Sequence, residues 1–150
     1  MQNDIINGED ISADAITNCM KTTRNTLSTW KISNESEIED AVLAIVSGHH
    51  HLDSIDVICL NSKALKMHGL TLEDTPGATP LESFSERHVD IINLSYTSLG
   101  AVANQIVENI KDGKVKRYTK GMQKKILKIA IESGRLKRDK LHPSLSMKLQ

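Results

Sequence analysis

The sequence predicts an all-α protein. Aromatic side chains make up 3% of its 150 residues, so a core has to be assembled from Ile, Leu, Val, Ala and Met. Only three prolines occur, and an aliphatic, proline-poor chain favours helices over the many turn-bounded strands of a β-sandwich. Apolar residues also recur at three- and four-residue intervals along much of the chain, the period of a helix with one buried face. With 39% hydrophobic and 25% charged residues, the composition is that of a folded globular chain rather than a disordered one.

From the N-terminus, Ser12 to about Lys31 reads as two short helices. Ser12 is a suitable N-cap, and Ile11, Ala15, Ile16, Cys19 and Met20 recur at helical spacing. Lys21-Thr22-Thr23 interrupts that spacing as a turn, and Thr23 caps a second helix carrying Leu27 and Trp30. After the polar break Ser33-Asn34-Glu35-Ser36, residues Ile38, Val42, Ile45 and Val46 form the apolar face of a helix ending at Gly48. His49-His50-His51-Leu52-Asp53 is a loop. Ile55, Val57, Ile58 and Leu60 fit a strand or the front of a helix, with helix favoured through Ala64, Leu65 and Met67 to Gly69.

Pro76, Gly77 and Pro80 mark residues 71–82 as a linker. Ser83 or Ser85 then caps a long helix over residues 85–110. Its stripe holds Val89, Ile92, Leu94, Tyr96, Leu99, Val102, Ala103, Ile106, Val107 and Ile110. So broad a stripe has to be buried, against the chain's own helices or a second subunit. Asp112-Gly113 ends it. A last helix runs from about Thr119 through Met122, Ile126, Leu127, Ile129, Ala130 and Ile131 to Gly134, and His142-Pro143 closes the regular structure.

Cys19 and Cys59 lie in apolar stretches, cannot build a disulfide framework, and are expected to be buried thiols. No apolar run approaches the roughly 20 residues that cross a bilayer. Met1-Gln2-Asn3-Asp4 carries neither the basic nor the apolar part of a secretion signal, so a cytoplasmic protein that does not enter a membrane is expected.

The net charge of zero conceals a segregation. Residues 1–110 hold six Lys and Arg against sixteen Asp and Glu, a balance of −10, whereas residues 111–150 hold thirteen against three, a balance of +10. A basic segment of that density suits a polyanion, above all nucleic acid, where each neutralised phosphate releases counterions. A membrane surface is a poorer match, because the segment lacks the Trp or Phe anchors of interfacial helices. The alternatives are a solvated basic face, or pairing with the chain's own acidic part. Candidate phosphate contacts are Lys116, Arg117, Lys120, Lys124, Lys125, Lys128, Arg135, Lys137 and Arg138.

The stretch Ile16 to Lys31 resembles the helix-turn-helix of phage repressors and many bacterial regulators. Ile16, Met20, Leu27 and Trp30 fall at its apolar positions, while Lys21 stands where that family usually has a turn glycine. The resemblance implies that Arg24, Asn25, Thr26 and Ser28 reach base edges in the major groove. Asp90-Ile91-Ile92-Asn93-Leu94-Ser95-Tyr96 with the long stripe behind it, and Leu127-Lys128-Ile129-Ala130 leading into Ser133-Gly134-Arg135-Leu136, resemble the bacterial flagellar master-regulator D subunit over residues 83–140. That family is all-helical and homodimeric and acts with a partner subunit, and it has no long acidic extension ahead of the helix. The resemblance implies a transcriptional activator subunit whose long helix dimerises.

The three adjacent histidines of the loop cannot all face one metal, because neighbouring side chains diverge, and no second cluster has zinc-site spacing. A surface loop is expected, and neither a metal nor another cofactor. Enzymatic signatures (GxSxG, a P-loop, GxGxxG, CxxC, HExxH) are absent from the sequence, so no catalytic residue is assigned. The expected organisation is an acidic, helix-turn-helix-like unit at residues 1–70, a linker at 71–82, and a dimerising, DNA-contacting unit at 83–150. The expected function is a DNA-binding transcriptional regulator on double-stranded DNA, a homodimer or paired with a partner regulator subunit. The alternative is an adaptor or anti-activator that docks on an acidic protein.

Overall fold

A computed structural model describes residues 5–6, 10–11, 16, 20, 22–77 and 79–149, and these form a mixed α/β protein rather than an all-α one. Among these residues there are seven short strands and five α-helices: β1 (Ile5–Ile6), β2 (Asp10–Ile11), β3 (Leu27–Trp30), α1 (Ile38–Ser47), β4 (Ile55–Val57), α2 (Ser62–Met67), β5 (Thr71–Asp74), β6 (His88–Ile92), α3 (Tyr96–Lys111), β7 (Lys116–Tyr118), α4 (Lys120–Glu132) and α5 (Pro143–Met147). β1 pairs antiparallel with β2, with Ile5 opposite Ile11 and Ile6 opposite Asp10. A three-stranded sheet has the order β3-β6-β5, and β4 pairs with β7.

The strands lie where a two-residue period was hidden beneath a helical one. His88-Val89-Asp90-Ile91-Ile92 buries Val89 and Ile91 and leaves the residues between them half-buried, the alternation of a pleated strand. The long helix expected over residues 85–110 is therefore three elements. Glu82–Arg87 is 3-10, β6 comes next, and only Tyr96–Lys111 is α-helical, started by a reciprocal cap between Ser95 and Ser98. The expected linker likewise contains β5.

The helix-turn-helix expectation fails in the same way. Thr23 and Thr26 exchange backbone hydrogen bonds of 3.1 Å across Arg24 and Asn25, whose φ angles are 54° and 60°. Two successive left-handed residues make a tight hairpin turn, which Asn adopts readily and Arg at a cost. The turn leads into β3, not into a recognition helix, and Trp30 lies in that strand. Ser12, Ala15, Thr17, Asn18, Cys19 and Lys21 lie outside the described residues. Met20 N–H donates to the Ile16 carbonyl at 3.1 Å, one helical turn.

The chain divides into two compact units, each assembled from three separated stretches rather than arranged one after the other. The first comprises residues 1–28, 56–73 and 90–116. In it Leu65, Leu70, Ile91, Leu94, Val102 and Ile106 form a buried cluster on which Leu99 and Ile110 also pack. The stripe of α3 thus packs on the chain's own core. Cys59, expected to be buried, is exposed.

The second unit comprises residues 29–55, 74–89 and 117–150. Here α1 packs against α4, burying Val42, Leu43, Val46, Leu127 and Ala130. Gly48 follows α1, and α4 starts at the Thr119 cap. The turn closing α4 places Gly134 at φ 73°, which costs glycine least. Trp30 meets Phe84 at 6.0 Å and the edge of His88 at 5.0 Å, centroid to centroid. Regular structure continues past His142-Pro143, contrary to expectation. Pro143 opens α5 in the first turn, where a helix needs no N–H, and Leu141, Leu145 and Leu149 are buried.

Candidate functional site

The basic residues of the second unit are organised by α4. Gln123, Leu127 and Ala130 are buried, which turns the opposite side of the helix outward. Lys124, Lys125 and Lys128 are exposed there, within an arc of about 100° at 3.6 residues per turn. Lys120, Lys124 and Lys128 succeed one another at four-residue spacing, a row about 12 Å long. Among the described residues, none of Lys124, Lys125 and Lys128 has a carboxylate partner within ion-pair distance, nor does the exposed Lys137. Met122 and Ile129 are also exposed, at 46% and 54%, on the flank of the helix next to Lys125.

The other expected phosphate contacts are engaged within the protein. Lys120 Nζ lies 3.0 Å from Asp53 Oδ1. Arg135 donates to Asp40 Oδ1 at 2.6 Å, and Arg138 donates to the Leu149 carbonyl at 3.2 Å. Lys116 and Arg117, exposed in β7, each interact with another group of the protein. Lys140 approaches Glu82 at 3.5 Å. Residues from the acidic front of the sequence therefore neutralise part of the basic end. Of the expected base contacts, Arg24 and Asn25 form the hairpin turn, Thr26 closes it, and Ser28 Oγ in β3 donates to Asp90 Oδ1 at 2.8 Å. No helix presents these four to a groove.

The histidine loop is at the surface, as expected, and it is fastened. Gln123 Nε2 donates to the carbonyls of Asp53 at 2.6 Å and Tyr118 at 2.8 Å, which fixes the end of the loop against α4. Gln123 Oε1 is buried with no hydrogen-bond partner among the described residues. His51 Nε2 lies 2.9 Å from Asp53 Oδ2, so one carboxylate serves both His51 and Lys120. Hydrogen bonding and charge from Lys120, with a smaller contribution from His51, hold the Asp53 carboxyl below its usual range. Partial burial lowers the His49 pKa, as do the neighbouring imidazoles of His51 and His50, against an upward pull from Asp53.

The His50 ring stacks on His142 with centroids 3.9 Å apart and planes 13° from parallel. Ser144 Oγ donates to the His50 carbonyl at 2.6 Å. Among the described residues, no group of three His, Cys, Asp or Glu side chains is placed to hold a metal ion. No described helix is long and apolar enough to cross a membrane.

Spacing alone exposed the lysine row. Gln123, Asp53 and His142 were missed, although Gln123 did carry a signal, a polar residue four positions before Leu127 on the apolar stripe. No protein-family model, curated protein or solved structure matches this chain.

Proposed function

We propose that this chain is a non-enzymatic, DNA-associated regulator that lies on the phosphate backbone through the lysine face of α4. The observation that supports the reading is the contrast within one unit. Lys124, Lys125 and Lys128 stand on a single exposed face with no carboxylate partner among the described residues, while Lys120, Arg135 and Lys140 are paired. A helix face carrying a row of ammonium groups suits phosphate, which positions a protein without reading sequence. Base readout by residues 24–28 is no part of the proposal, because that segment is a turn and a strand.

The test is the affinity of the full chain for short duplexes of different sequence as salt is raised. Reversing the charge of Lys124, Lys125 and Lys128 together is expected to weaken binding at least about tenfold for every sequence, and to flatten the salt dependence. Equal binding by wild type and variant would overturn the assignment.

A second reading, docking on an acidic amphipathic segment of a partner protein, is favoured by the exposure of Met122 and Ile129 on the flank next to Lys125. Replacing these two by Ser separates the readings. Contacts to phosphate survive that change, and a protein interface centred on the two apolar side chains does not.

A further inference from the structure

The row of lysines on α4 does not end at Lys120. Asp53 joins Lys120 to His51 through its two oxygens, at 3.0 and 2.9 Å, so the loop after α1 lies at the N-terminal end of the row. Gln123 holds that loop by the Asp53 carbonyl. The stack of His50 on His142 and the Ser144 bond to the His50 carbonyl bring the start of α5 to the same place. Four exposed imidazoles, those of His49, His50, His51 and His142, thus collect where the basic face begins. The charged groups facing them are Asp53 and, behind it, Lys120.

We propose that this histidine cluster is the acid-responsive part of the DNA-binding face, so that mild acidification extends the lysine row with imidazolium charge and tightens the grip on duplex phosphate. The inference rests on the reading of α4 as the DNA contact. In the free protein a single carboxylate, that of Asp53, stands against the cluster. Three imidazoles are consecutive, two are face to face at 3.9 Å, and Asp53 is already shared with Lys120. A phosphate chain laid past Lys120 supplies the missing countercharge. Linkage then requires reciprocity. Whatever factor the DNA contributes to proton affinity, protonation contributes to DNA affinity. A one-unit rise in a single imidazole pKa corresponds to a tenfold gain in affinity once that group is protonated, so about tenfold or more is expected between about pH 8 and about pH 5.5.

The experiment measures the affinity of the full chain for a short duplex at these two pH values and constant ionic strength. It compares wild type with the variant His49→Asn/His50→Asn/His51→Asn, with circular dichroism as the check on folding. Tighter binding at the lower pH in wild type, lost in the variant while affinity at the higher pH is kept, is the expected result. Histidine ring signals followed by NMR with and without duplex give a readout that needs no variant, and the loop imidazoles should titrate higher in the complex. Salt-sensitive binding that is equal at both pH values, or that responds equally to pH in the variant, overturns this inference and leaves the DNA reading standing. No binding at either pH overturns the DNA reading itself, and the inference with it.

Discussion

Gln123 occupies a position where the stripe of α4 calls for a hydrocarbon. Its amide nitrogen serves two carbonyls, while its amide oxygen has no partner among the described residues. Replacing it by Leu removes the orphaned oxygen but leaves the Asp53 and Tyr118 carbonyls without that donor. The second effect outweighs the first, because two carbonyls lose a donor for one oxygen relieved. Gln123→Leu is expected to cost about 1–3 kcal/mol in urea denaturation, and a variant as stable as wild type would refute this balance. Asp53 and His49 set the acid response. His49 is held below the ordinary histidine value of 6.5, so the fold prefers it neutral. Its contribution is present above 6.5 and is lost as pH falls from there through the lowered folded value. Asp53 is held below 3.8, so its contribution is present above that value and disappears as pH falls through its depressed one. Stability measured against pH should therefore fall in two stages, and His49→Asn should remove the upper stage alone.

At the level of elements, the pairing of α1 with α4 organises the second unit. Leu127 is fully buried in it, and Leu127→Ala should cost about 2–5 kcal/mol of unfolding free energy, a larger loss than truncating any lysine of the same helix. Both helices were legible because their signals are local. Val42 and Val46 stand one turn apart, Thr119 caps α4, and Gly48 and Gly134 come after the two ends. β3 and β6 were not legible, for a physical reason. Val89 and Ile92 fit a three-residue interval as well as a pleat, and the neighbouring strand decides between them. β6 lies between β3 and β5, and β3 is some sixty residues away in sequence, so no local window contains the deciding contact. The candidate site divides along the same line. Lys124 and Lys128 could be placed on one face from spacing alone. Asp40, Asp53 and Glu82 could not be recognised as partners, since only the tertiary fold brings them to Arg135, Lys120 and Lys140.

Over the whole molecule, the charge asymmetry of the sequence is largely folded away. The second unit contains twelve Lys and Arg and ten Asp and Glu, and the first contains seven and nine, so a difference of ten charges at each end of the chain becomes two in each unit. The basic residues then serve two purposes that respond differently to salt. Exposed pairs such as Arg135–Asp40 and Lys140–Glu82 contribute at most about 1 kcal/mol each, because water already screens them. Lys124, Lys125 and Lys128, which have no carboxylate partner among the described residues, contribute to folding only as mild self-repulsion, which added salt relieves. Raising salt from about 0.05 to about 0.5 M should therefore move the unfolding free energy by no more than about 1 kcal/mol. If three lysines each displace a counterion from duplex DNA, the logarithm of the affinity should fall against the logarithm of salt with a slope of about −3 over the same range. Measured together on the full chain, a flat stability and a steep affinity would assign the row to an external polyanion. A steep stability with a flat affinity would assign it to the protein's own carboxylates.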